Sequence, residues 1–442
     1  MNAIKLASTY FFGTEPFVRG NSMIATVTFK TAIAYDRLFA GYRQLVMDHP
    51  MLQSKRVELP GQDTFEWGRF TDEELEKLLN DEMVLLSRFY TEEEVLGQYA
   101  PTNARLPFHL FRIDEFTIMF SLNHALANGL SLVYWIRRWL EYYAGESRAK
   151  PGSAGESGGW QEKLLRLQKR IAAFLWMPAF VLGFIAKAYG KAPRPGDTVD
   201  LSGGELPLPG GRYVKKPYRF GKQETKAILR RCREKGMTLT EYLCCQLTAG
   251  LLEQAPDQKR VFVSMPMDLQ LLHPYSPETA HGNYVASLPM QFFRGGDLAK
   301  QVKGAFKWFK RGVPYALALF FASFSNSFRK YKQQCLELSM KPMPQRFPLW
   351  NFTMTYSNLG VLSYPIFEEW VDSVYFSIKN QSILLTSASL SGCLMMELGV
   401  LDGLYDAEAV FGMFDRILSA ENLLGSAEPE FESVPDPRLK AV

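Results

Sequence analysis

Residues 116–129 read Phe116-Thr117-Ile118-Met119-Phe120-Ser121-Leu122-Asn123-His124-Ala125-Leu126-Ala127-Asn128-Gly129, and the pattern changes twice within them. Phe116, Ile118, Phe120 and Leu122 alternate with Thr117, Met119 and Ser121, the two-residue period of a strand with one apolar face. The alternation stops at His124. Past the small-residue turn at Asn128-Gly129, Leu130, Val133, Ile136 and Leu140 recur at helical spacing. Strand, histidine, tight turn and helix are therefore predicted in that order. A histidine closing a rigid strand suits a proton acceptor that must sit within hydrogen-bond reach of a substrate. An ordinary imidazole, with a pKa of about 6.5, is mostly neutral at neutral pH. Spacing alone is equally compatible with a histidine that only closes a strand.

On either side, the chain mixes both kinds of element. Met23 to Phe29 is rich in β-branched residues and predicts a strand, followed by a helix from about Ala32 to Met47. Further on, Lys222 to Lys235 predicts a helix whose basic residues alternate with Glu224 and Glu234 on a solvated face. Thr238 and Glu241 form a Thr-x-x-Glu capping box ahead of a helix through Leu243, Leu247 and Leu251. Strands are predicted at Val261–Met265, Tyr284–Phe293, Asn351–Ser357, Ser382–Ala388 and Cys393–Val400, and a helix at about Asp406–Leu423.

Two breaks divide this series. From Gly145 to Gly159, nine of fifteen residues are Gly, Ser or Pro, and from Pro193 to Gly211 there are four Pro and five Gly. Neither stretch supports a regular element. The boundary falls in the second break, giving domains at 1–200 and 201–442, with Trp160 to Ala188 as a helical excursion of the first. The expected fold class is α/β or α+β, with two similar sandwich-like domains.

Composition narrows the function classes. The chain has 50 Lys plus Arg against 46 Asp plus Glu, so a net charge of +4 gives no footprint for nucleic acid. Cys232, Cys244, Cys245, Cys335 and Cys393 form no CxxC pair and total an odd number, which fits neither a disulfide framework nor a zinc site. No metal is expected. Met1 to Arg19 lacks the apolar core of a signal peptide, and with the cysteine usage this predicts a cytoplasmic protein. The uncharged runs Ile171–Ala186 and Pro314–Phe324 fall short of the roughly 20 residues needed to span a bilayer. Lys163, Arg166, Lys169 and Arg170 precede the first run as in an interfacial helix, so weak membrane-surface contact stands beside core packing as a reading.

Around His124 the sequence resembles the HxxxDG motif of the chloramphenicol-acetyltransferase-like superfamily, which includes nonribosomal peptide synthetase condensation domains and alcohol O-acetyltransferases. The likeness continues in family order across about residues 20 to 400. His49-Pro50-Met51-Leu52 resembles the segment after the first helix, and Arg105 to Asp114 the strand before the motif strand. Met237-Thr238-Leu239-Thr240 resembles a helix start, Val263 to Leu269 the strand ending in Pro-Val-Asp-Leu, and Gly282-Asn283-Tyr284 the Gly-Asn turn. Thr355-Tyr356-Ser357-Asn358-Leu359-Gly360 resembles the Ser-Asn-Leu-Gly loop of bacterial acyltransferases, the alcohol O-acetyltransferase-like members being nearest.

The resemblance implies two chloramphenicol-acetyltransferase-like domains with an active-site channel between them. It implies a CoA-dependent O- or N-acyltransferase in which His124 is the general base and no acyl-enzyme forms. Acyl-CoA is the expected co-substrate and an alcohol or amine the acceptor, with no tightly bound cofactor. A condensation enzyme served by an acyl carrier protein and a non-catalytic binding protein are the alternatives. Asn283, Ser357 and Asn358 are the candidates for binding substrate or the oxyanion. Asn128 stands where the family has Asp, and Gln53 where the condensation branch has its Arg partner, so both charges are missing together. Gln53 and Asn128 are accordingly expected to face each other and, with Gly129, to shape the His124 loop. Gln270 similarly occupies an Arg place in the second domain.

Overall fold

The computed structural model describes residues 22–58, 65–98, 105–124, 126–146, 160–189, 197–201, 212–268, 285–317, 353–378 and 383–424. In the first half lie β1 (Ser22–Phe29), α1 (Tyr35–Asp48), β2 (Ser54–Glu58), β3 (Phe65–Arg69), α2 (Asp72–Leu86), α3 (Glu92–Gln98), β4 (Phe108–Arg112), β5 (Thr117–Asn123), α4 (Gly129–Ala144) and α5 (Trp160–Tyr189). In the second lie β6 (Tyr213–Phe220), α6 (Lys222–Glu234), α7 (Leu239–Gln254), β7 (Arg260–Asp268), β8 (Val285–Phe293) and α8 (Leu298–Lys310). These are followed by β9 (Met354–Val361), α9 (Pro365–Trp370), β10 (Val371–Ile378), β11 (Leu384–Leu390), β12 (Cys393–Leu401), α10 (Ala407–Ile417) and α11 (Ala420–Leu424).

Mixed sheet and helix form two lobes. A four-stranded sheet has the order β10-β1-β5-β4, a six-stranded one β6-β12-β11-β9-β7-β8, and β2 and β3 pair as a separate two-stranded sheet. A cut near residue 200 does not separate them cleanly, because β10 from the second half pairs antiparallel with β1. The polypeptide is thus stitched across both lobes by backbone hydrogen bonds. Strand β6 carries Pro217 at the edge of its sheet, where a missing N–H leaves no ladder bond unmade.

The alternation in β5 sorts its side chains between two cores. Ile118, Phe120 and Leu122 join Met23, Ala25 and Val27 in the first-lobe core, with Trp135 and Trp139 of α4 fully buried over them. Met119 and Ile24 point the other way into the second-lobe core. The central strands are therefore covered on both faces. Each such Leu, Ile or Phe contributes roughly 1.5–3 kcal/mol relative to exposure. The capping box at Thr238 and Glu241 forms as the spacing requires and starts α7. Rather than one closing helix, α10 stops at Ile417 and α11 restarts at Ala420. Helix α5 does not lie against the first half alone: Met177, Phe180 and Val181 pack on the second-lobe core, and Trp176 meets Trp308 of α8 edge-on at 6.0 Å.

Candidate active site

Strand β5 ends at Asn123, paired with Ser22, so His124 is the first residue past the edge of the first-lobe sheet. Its Nδ1 lies 2.9 Å from the Ala127 carbonyl oxygen. A carbonyl only accepts, so the proton sits on Nδ1 and the lone pair on Nε2. The ring is 4% exposed. Burial pushes its pKa down to about 4, against smaller upward effects from its hydrogen bonds to the Ala127 and His124 backbone. The imidazole is consequently neutral at any pH near 7.

Asn128 is the N-cap of α4. Its Oδ1 accepts from both the backbone N–H and the hydroxyl of Ser131 at 2.9 Å, satisfying a donor that the helix cannot. Its Nδ2 donates to Asp268 Oδ2, 2.9 Å away at the end of β7. That bond crosses from one lobe to the other. Gly129 follows as the first helical residue, and a Cβ there would stand 2.8 Å from Leu359 Cδ2, so the absent side chain lets β9 approach.

Gln53 does not meet Asn128. The single 3-10 turn Pro50–Gln53 folds its side chain back onto α1, where Nε2 donates to the carbonyls of Val46 and Met47 at 2.8 and 3.0 Å. The end of a helix leaves carbonyls in need of donors, and these claim the Gln53 amide before Asn128 can. Gln53 and Asn128 thus enter two separate arrangements, not one amide pair.

His124, Asn128, Gly129, Asp268, Ser357 and Asn358 line one cavity of about 130 Å3 at the seam between the lobes, with Ser377, Thr386 and apolar side chains completing it. Asn358 Nδ2 donates to Thr240 Oγ1 at 2.7 Å, and its Oδ1 accepts from the Gly360 N–H at 2.8 Å. Its side chain therefore holds β9 to α7. Ser357 has no such side-chain bond among the described residues and lines the cavity. Asn283 lies outside the described residues, as do the Gly-Asn turn and Gln270. Asp268, Thr240, Ser377 and Thr386 are additions to the sequence-predicted set. Asp268 could have been found, because an Asn amide at the motif has a donor to place and an acidic residue accepts it; serine and threonine inside strands give no such signal.

A second cleft, about 500 Å3, opens beside the start of α7, lined by Gly236, Glu241, Lys303, Lys307, Lys310 and Arg311. Lys310 Nζ lies 2.9 Å from Glu241 Oε1, the one carboxylate in the lining. Thr240, bonded to Asn358, is the neighbour of Glu241, so a single helical turn separates basic cleft from cavity. Among the described residues no group of three or more His, Cys, Asp and Glu could hold a metal ion, and no helix is long and apolar enough to cross a membrane.

No family model matches the sequence, and no curated protein is significantly similar to it. Solved structures do share its fold. The first condensation domain of the CDA synthetase is 12% identical, with a TM-score of 0.60 over 96% of each chain. The cyclization-docking bidomain EpoB of a nonribosomal peptide synthetase from Sorangium cellulosum is 13% identical, with a TM-score of 0.60 over 96% of this chain and 85% of that one. The epimerization domain from the third module of tyrocidine synthetase B is 12% identical, with a TM-score of 0.56 over 94% and 93%. The chain is therefore similar in fold to condensation domains and their relatives along almost its whole length.

Proposed function

We propose that the protein transfers an acyl group from a phosphopantetheine thioester, presented by an acyl carrier protein, to an amine or hydroxyl acceptor, with His124 as general base. The observation that carries this reading is a neutral imidazole with its lone pair on Nε2, lining a cavity where the two lobes meet. Nε2 takes the proton as the acceptor nitrogen or oxygen attacks the thioester carbonyl. Collapse of the tetrahedral intermediate breaks the carbon–sulfur bond, and the proton passes to the departing thiolate. Ser357 is assigned to the oxyanion, a donor of the kind worth about 3–4 kcal/mol of barrier. The basic cleft beside α7 is suited to the phosphate of the donor arm. That handle is common to CoA and to carrier-bound donors. The carrier is preferred because the fold neighbours are condensation, cyclization and epimerization domains of synthetases.

The test is release of free thiol from acyl-CoA and from an acylated carrier protein, with panels of amines and alcohols. Release from the carrier should exceed that from CoA and should fall by roughly 100-fold or more in His124→Ala with an unchanged melting curve. The acid limb of kcat/KM in the wild type should lie toward pH 4 instead of 6.5, since protonation disables the base. Undiminished release in His124→Ala removes the assigned base, and a preference for acyl-CoA moves the donor to the diffusible thioester.

A further inference from the structure

Helix α5 carries apolar side chains all round. One side holds Met177 and Phe180 against the second-lobe core, with Ala173 buried on the same side. On the opposite side, Leu164, Leu167, Ile171, Phe174, Leu175 and Leu182 are exposed, with Leu167 and Ile171 at 51%, Leu175 at 73% and Leu182 at 68%. At about 100° per residue these positions fall within a stripe of roughly 100°, and at 1.5 Å per residue it runs for about 27 Å. Pro178 lies on the same stripe within the helix. A globular protein does not ordinarily leave so long a row of leucines in water.

Charge selects what covers it. After Glu162, α5 contains Lys163, Arg166, Lys169, Arg170 and Lys187 and no carboxylate. The helix it packs on adds Lys300, Lys303, Lys307, Lys310 and Arg311, again with no acidic residue between Leu298 and Arg311. Arg311 is stacked 3.7 Å from the centroid of Trp176, which ties the two basic segments together. These two segments hold ten cations and one carboxylate, in a chain whose net charge is only +4. A second copy of the chain would set two cationic faces against each other. We infer that α5 lies in the plane of an anionic lipid surface, its leucine stripe among the acyl chains and its cations at the headgroups.

Co-sedimentation with vesicles of phosphatidylcholine alone, and of phosphatidylcholine mixed with phosphatidylserine, tests this directly. The full-length protein should pellet with the mixed vesicles, bind them roughly tenfold more than the neutral ones, and release as salt is raised. Leu175→Glu together with Leu182→Glu should lower that binding by roughly tenfold or more, while the circular-dichroism melt and thiol release in solution stay at the wild-type level. Because activity is read without vesicles, loss of lipid binding and failure of the catalytic assignment are separable. Wild-type protein that stays in the supernatant with both vesicles overturns the inference, as does a double variant that pellets like wild type. So does a dimer in sedimentation velocity that the double variant abolishes without any vesicle binding, which assigns the stripe to a second copy.

Discussion

Asn128 shows what an amide does that a carboxylate cannot. As N-cap it needs only an acceptor, and Asp would serve equally well. Toward Asp268 it must donate, at 2.9 Å, and Asp cannot unless protonated. Asn128→Asp therefore places two carboxylates in contact at the lobe seam, and one must bind a proton well above the ordinary carboxylate range. A raised folded-state pKa contributes stability below that pKa and loses it as pH rises. The variant is expected to fall short of wild type by roughly 1–3 kcal/mol at pH 7 and by less near pH 5. Asp268→Asn in the same chain should restore the loss. Urea midpoints at the two pH values check it; an equal deficit at both, unrelieved by the second substitution, shows that the seam does not depend on this bond.

Among the elements, α7 has to hold its first turn against the cavity, since Thr240 there meets Asn358. Its far half is seated by a close approach: a Cβ on Gly250 would stand 2.5 Å from Ile417 Cγ1 and within 3.1 Å of two further atoms of that side chain. Gly250→Ala gains about 1 kcal/mol of helix propensity, yet overpacking at a blocked side chain loses typically 1–3 kcal/mol. The variant should melt lower, and Ile417→Ala should relieve the clash, so the double variant should be less destabilised than the sum of the singles. Strictly additive losses would mean the two helices are not in contact here. The elements that the sequence makes legible are those with one clean period or one complete cap: β5, α4 and the box at Thr238. Strand β10 escapes because its Val371 to Ile378 run is covered on both faces and so does not alternate, and β6 because Pro217 argues against a strand unless its place at an edge is known. His124, Asn128, Gly129, Ser357 and Asn358 are brought to one cavity as their motifs suggested, whereas Gln53 is not, because local helix-end carbonyls compete with distant partners in a way spacing does not reveal.

At the scale of the whole molecule, the cavity depends on how the lobes are held. Backbone pairing of β10 with β1 does part of this, and an ion cluster around the buried Lys215 adds to it. Lys215 Nζ on β6 lies 3.0 Å from Glu397 Oε1 on β12, 3.2 Å from Glu92 Oε2 on α3 and 2.5 Å from Thr26 Oγ1 on β1. Burial opposes the charge on Lys215, but Glu397 and Glu92 more than offset it and raise its pKa, while burial raises that of Glu397. Lys215 and Glu397 are buried while Glu92 is partly exposed, so removing Lys215 strands the Glu397 carboxylate away from water. Lys215→Ala should cost about 3–5 kcal/mol, because the Glu397 carboxylate is left uncompensated. Lys215→Met with Glu397→Leu removes both desolvation penalties along with their attraction and should cost much less than the single change. The double variant would keep the lobes packed but lose the Glu92 contact that bridges them, so thiol release should fall further than the melting temperature does. Equal destabilisation by the single and double variants would show that packing around Lys215, and not its charge, joins the two halves.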